Sequence, residues 1–255
     1  MNDIAFKLVE AERLAAETIE EFGICSPEHI RIRDIAFAKG AMVVEKELTR
    51  AVASIVKTGK SATIRISPTD SMARKRFSIA HELGHLLLGH IVSIQKVCSD
   101  ADMMNWYQSN HETQANFFAS ELILPTKLVS GQCNIRNISL EPIKQIARNF
   151  RASLTASAIK FVRLCPHKCA IVYSAEGKIK WFYKSPDWWP FILKDQRLDK
   201  RTLAYDFFAD KPMEPEPSEV DADAWVESRG VDEIVEHSIA SSQYGFVLSL
   251  LWLKC

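Results

Sequence analysis

The stretch RFSIAHELGHLLLGH, residues 76–90, decides how the rest of the chain is read. Its apolar residues recur at helical spacing and no proline interrupts it, so a helix is predicted from about Ser71 to His90. His81 and His85 lie four residues apart, which leaves them only roughly 40° apart around the helix axis. Two imidazoles on one face can hold one metal ion. The H-E-x-x-H spacing adds Glu82, a carboxylate suited to handling the proton of an attacking water rather than the ion. The competing reading is a buried helix whose histidines merely satisfy each other, but the chain has only seven histidines to place in such a pattern.

Two helix histidines leave a catalytic zinc one protein ligand short. His90 is the nearest candidate. On a continuing helix, however, it turns roughly 140–180° from His85 and His81, so it is expected as a capping or outer residue at the helix end. A longer histidine pattern would need glycine and histidine where the chain has Leu88 and Ile91. Glu112, in HETQANFFASELILP (111–125), is better placed. Ala115, Ala119 and Leu122 share its helix face, and the two alanines let that helix pack close to the first. Asn116, one turn on, suits a hydrogen bond to a ligand histidine. On spacing alone His111, Asp102 and Glu121 compete with Glu112, and the third ligand stays open among them.

Outward from this pair of helices the pattern is that of an α+β protein. Residues 2–22 carry helical spacing up to Gly23, and a shorter helix around 27–39 stops at Gly40. Three strand-like runs follow, AMVVEKEL (41–48), AVASIVKTG (51–59) and SATIRIS (61–67), the last two joined by a hairpin turn. The strand at Ala62–Ile66 is read as an exposed edge on which an extended peptide can pair. Residues 91–109 are irregular, and one or two helices occupy 140–164. At Cys165–Pro166 the character changes to a hairpin (169–184), an acidic proline-rich loop (210–221) and two final strands. The expected domains are therefore 1–164 and 165–255, the second a small α+β domain suited to regulation or substrate binding.

Lys+Arg and Asp+Glu balance at 32 each, so no bulk attraction to nucleic acid or membrane is implied. The N-terminus carries acidic residues throughout, no long apolar run is present, and six cysteines lack a framework spacing. A cytoplasmic protein with reduced thiols and no membrane contact is expected. Cys165-Pro-His-Lys-Cys169 has no second ligand pair and is read as packing rather than a metal site.

RFSIAHELGHLLLGH together with ETQANFFASELILP (112–125) resembles the ImmA/IrrE family of zinc metallo-endopeptidases. DIAFAKG (34–40), IRIS (64–67) and IKQIARNFRASLTASAIKFVRL (143–164) extend the resemblance over about residues 5–164. It implies a zincin-like peptidase domain with a three-stranded sheet, a helix-turn-helix-like segment at 140–164, and Zn2+ as cofactor. By the same resemblance His81, His85 and Glu112 are the zinc ligands and Glu82 is the catalytic carboxylate. It also implies a protein substrate of the helix-turn-helix repressor class, cleaved to relieve transcriptional repression of a mobile element, phage or stress regulon. The oxyanion stabiliser stays open among Tyr107, His111 and His237.

Two rival readings keep the zinc site but not the proteolysis. QIARNFRASLTASAIKFV (145–162) has helix-turn-helix spacing and basic neighbours, which suits weak or indirect DNA contact. Its second helix offers Ser, Leu, Thr and Ala rather than residues that read base edges. The other rival is a ligand-sensing regulatory protein whose aromatic residues, such as Trp181 and Trp188, line a pocket in 165–255.

Overall fold

The computed structural model describes residues 3–47, 53–59, 61–90, 95–98, 111–135, 138–227 and 230–254. In chain order the first elements are α1 (Asp3–Glu21), a 3-10 turn (Pro27–His29), α2 (Ile32–Ala38), β1 (Ala41–Glu45), β2 (Ala53–Thr58) and β3 (Ser61–Ile66). Then come α3 (Met72–Leu87), β4 (Gln95–Cys98), α4 (His111–Ile123), α5 (Thr126–Cys133), α6 (Glu141–Phe150) and α7 (Leu154–Leu164). The remainder is β5 (Cys169–Ala175), β6 (Lys178–Lys184), α8 (Leu203–Phe208), β7 (Ser218–Asp221), a second 3-10 turn (Ala222–Ala224), β8 (Glu233–Ser241) and β9 (Phe246–Trp252). The protein is α+β, as expected. Its contacts divide it into Met1–Leu128 with Arg148–Ser153, and Val129–Ala147 with Leu154–Cys255.

In the first unit the strands form one sheet in the order β1-β3-β2-β4. β1 runs parallel to β3, while β2 is antiparallel to both β3 and β4. β2 and β3 meet at Gly59, whose φ of +61° suits glycine in a tight hairpin. Two expectations change here. The sheet has four strands rather than three, because Gln95–Cys98 pairs with β2 inside a stretch read as irregular. β3 is not an edge: β1 and β2 flank it, and the edges are β1 and β4. A strand of four residues has too little alternation to be seen without its partner.

β3 alternates as a one-sided sheet must, burying Ala62, Ile64 and Ile66 on one face. α3 packs against β2 and β3 and brings Ile79 and Leu83 into that core. α4 then packs on α3, and α1 packs on α4, burying the small residues Ala11, Ala15, Ala115 and Ala119 completely. Ser71 caps α3 by accepting the Arg74 N–H at 3.3 Å. Arg76 anchors the other side of the helix, donating to the Ile30 carbonyl at 2.9 Å and reaching the Phe150 carbonyl at 3.5 Å.

The second unit is built on an antiparallel sheet in the order β6-β5-β9-β8-β7. Glu176 and Gly177, at φ +55° and +68°, make the turn between β5 and β6, the twist that a two-residue hairpin prefers. β7 lies in the stretch read as an acidic loop and pairs with β8. One core gathers Ala170, Val172, Ile234, Val247 and Leu251 with Trp188, Trp225 and Leu198. Glu236 is fully buried beside it and accepts from the Leu203 and Ala204 amides, the Trp225 indole and the Ser238 hydroxyl at 2.6–2.9 Å. Burial still raises its pKa above the ordinary carboxylate value. α7 packs on β5 and β6, so contacts group it with residues 165–255, although its sequence character groups it with the helices before it.

Candidate metal centre

The histidine helix presents His81 and His85 through a close helix–helix approach. A Cβ added to Gly84 would lie 3.0 Å from Phe118 Cδ1 and 3.2 Å from the Ala115 Cα. A side chain at 84 would meet the backbone of α4, so glycine there lets α4 come this near α3. Glu112, one turn before Asn116 on α4, is thereby brought to the histidines. His81 Nε2 and His85 Nε2 each lie 3.2 Å from Glu112 Oε2 and 3.1 Å from one another. Donors held at ~2.0–2.1 Å around a tetrahedral zinc ion stand about 3.3 Å apart. The spacing of this triangle therefore suits a small tetrahedrally held cation.

The chemistry of the donors agrees. Each imidazole can give its Nε2 to a cation only when its proton sits on Nδ1. His81 Nδ1 is 2.9 Å from Asn116 Oδ1, an acceptor that holds that proton. His85 Nδ1 is 3.0 Å from His90 Nδ1. Both histidine side chains are fully buried, and that of Glu112 is 14% exposed. Among the described residues, His, Cys, Asp and Glu donors converge in a group of three only at His81, His85 and Glu112. Glu82 lies between the two histidines on the same helix and is completely buried.

The other candidates fall elsewhere. Glu121 accepts from the Thr126 N–H and hydroxyl at 2.8 and 2.7 Å, tying α4 to the start of α5. Asp102 and Tyr107 lie outside the described residues. His111 stacks on His90, with ring centres 4.1 Å apart and planes 8° from parallel. His237, in the second unit, accepts the Leu140 N–H and reaches the Pro215 carbonyl, which engages both of its nitrogens. The buried thiols Cys133, Cys165 and Cys169 join no such donor group. Burial pushes the Cys133 thiol up to about 12.

His90 does not turn away as a continuing helix would have it. α3 ends at Leu87, and Gly89 at φ +71° reverses the chain. The Gly89 N–H then donates to the Leu86 carbonyl (3.3 Å) and the His90 N–H to the His85 carbonyl (3.0 Å), the paired bonds of a Schellman ending. That reversal carries the His90 ring back beside His85. Gln114 Oε1 meets the far nitrogen of His90 at 3.0 Å, a contact that no spacing rule singled out.

With two histidines, one glutamate and their polar supports in place, the sequence match falls where the geometry leads. Residues 30–161 match the family model of the IrrE N-terminal-like domain (Peptidase_M78). The chain belongs to that family. The match supports membership of a metallopeptidase family, and the matched span holds His81, His85 and Glu112 as well as Glu82. No curated protein matches the chain in sequence. Among solved structures, a Mycobacterium tuberculosis transcriptional regulator is similar in fold, with a TM-score of 0.60 and 14% identity. That likeness covers 95% of this chain and 76% of the regulator.

Proposed function

We propose that the protein is a zinc-dependent endopeptidase that cleaves a helix-turn-helix repressor to relieve transcriptional repression. The observation that carries the reading is the meeting of His81, His85 and Glu112 in a triangle of metal-ligand size. Their roles are metal ligands, and Glu82 is the catalytic carboxylate. A bound zinc ion would supply Lewis acidity to the scissile carbonyl and make water a stronger acid. A carboxylate oxygen of Glu82 takes the proton of the attacking water and delivers it to the leaving amine as the C–N bond breaks. An extended substrate that adds as a strand would do so at β1 or β4, the edges of the sheet.

The regulatory half of the proposal draws support from the solved neighbour, which is itself called a transcriptional regulator. Direct reading of DNA has less behind it. In α7 six consecutive residues, Ser157–Val162, are buried, and a helix that lies in a groove needs a free face. No helix among the described residues is long and apolar enough to cross a membrane.

Glu82→Gln tests the mechanism on the full chain. Zinc content should stay at one ion per chain, while cleavage of a co-encoded repressor falls by about 10²–10⁴-fold. Undiminished cleavage would overturn the role of Glu82. Wild-type protein that takes up no zinc under metal-replete conditions would overturn the whole reading. Zinc uptake without cleavage, joined to a salt-dependent duplex-DNA shift, would favour the regulatory rival.

A further inference from the structure

We infer that His90 is a positioning residue of the metal centre: it accepts the His85 Nδ1–H and holds His85 in the one tautomer that can bind a cation through Nε2. The inference rests on the metal-site reading above and extends it to residues outside the ligand set.

The geometry leaves one proton arrangement for the loaded site. Glu112 Oε2 and His81 Nε2 mark where a cation would be held, so His85 would have to offer a bare Nε2 in that direction. Its proton then lies on Nδ1, 3.0 Å from His90 Nδ1. Two nitrogens at that distance share one hydrogen, so His90 Nδ1 is bare and accepts. The ring of His90 then carries its own proton on Nε2, and that proton points to Gln114 Oε1 at 3.0 Å. The chain His85–His90–Gln114 thus has a single direction, set at one end by the cation and closed at the other by an amide oxygen. His81 Nδ1 meets Asn116, and His85 Nδ1 leads through His90 to Gln114.

The fold supports the relay at both ends. The Gly89 reversal places the backbone of His90 on the His85 carbonyl. His111 covers the His90 ring face, and His90 is only 8% exposed. Gln114 follows Glu112 by two residues on α4, so the same helix carries a ligand for the cation and the last acceptor of the relay.

The test uses the full-length protein, zinc and a competing chromophoric chelator. His90→Phe keeps an aromatic ring for the His111 stack but removes the acceptor, and zinc affinity should fall by about 10–100-fold. His90→Asn puts an amide oxygen where the histidine Nδ1 lies and should recover most of that loss. Gln114→Met should weaken zinc by a smaller factor in the same direction. In zinc-loaded wild type, nitrogen NMR should find His85 protonated at Nδ1 and His90 at Nε2. Equal zinc affinity in His90→Phe and wild type would overturn the inference while leaving the metal site standing, as would a His90 protonated at Nδ1. Should His90→Phe fail to fold, the Gln114→Met affinity and the wild-type spectrum still decide it. A wild type without zinc affinity would overturn both this inference and the reading beneath it.

Discussion

A histidine has two nitrogens and a metal takes one, so the partner of the other decides whether the ring is a ligand at all. At His81 that partner is Asn116 Oδ1, 2.9 Å from Nδ1. Asn116→Leu keeps the volume and removes the acceptor, and zinc affinity should fall by about 10–100-fold in chelator competition. Asn116→Asp should leave it equal or tighter, since a carboxylate is the stronger acceptor. Equal affinity in Asn116→Leu would deny Asn116 this role. At this scale much was legible. H-E-x-x-H names His81, Glu82 and His85 by spacing, and helical register puts Asn116 one turn from Glu112. Gln114 was not legible, because its contact is with a histidine that a glycine reversal returns to the helix.

Between elements, the centre depends on how near α4 comes to α3. Gly84→Ala would put a methyl 3.2 Å from the Ala115 Cα, and a backbone atom yields only if α4 moves. The cost should be about 1–3 kcal/mol in urea unfolding, with a matching loss of zinc affinity as Glu112 and Asn116 shift. Gly131, in α5, has nothing within 4 Å of an added Cβ. Gly131→Ala should therefore be neutral or stabilising by up to about 1 kcal/mol, and similar losses at both positions would reject the close-approach account. Strong periodicity made α1, α3 and α4 readable. β4 and the interior place of β3 were not, because strand order depends on which edges meet after collapse, and no local pattern encodes that.

Over the whole chain, stability should depend on pH through His237. Burial, seconded by Lys144, lowers its pKa below the ordinary 6.5, against the Pro215 carbonyl, Glu216 and Glu141. The unfolded chain then takes up a proton before the native one does. The stability due to neutral His237 is thus full above about pH 6.5 and is lost as pH falls through the folded value. Five of the six tryptophans lie in residues 165–255, so tryptophan fluorescence reads this unit. Its urea midpoint should drop between about pH 7.5 and about pH 5.5, and His237→Gln should flatten that drop. An equal slope in the variant would place the pH dependence elsewhere.

What could be learned from the residues alone was local: helix periods, glycine stops, the H-E-x-x-H face and an α+β mixture. These follow from short-range geometry, where a side chain's direction is set by its position within a turn. Folding in three dimensions settled the rest. It brought Glu112, already favoured by its helix face and the family resemblance, to the histidines and left Glu121 on Thr126. It added β4, enclosed β3 and turned His90 back to His85. Each of these depends on groups far apart in sequence meeting at about 3 Å, a distance that packing sets and spacing along the chain does not.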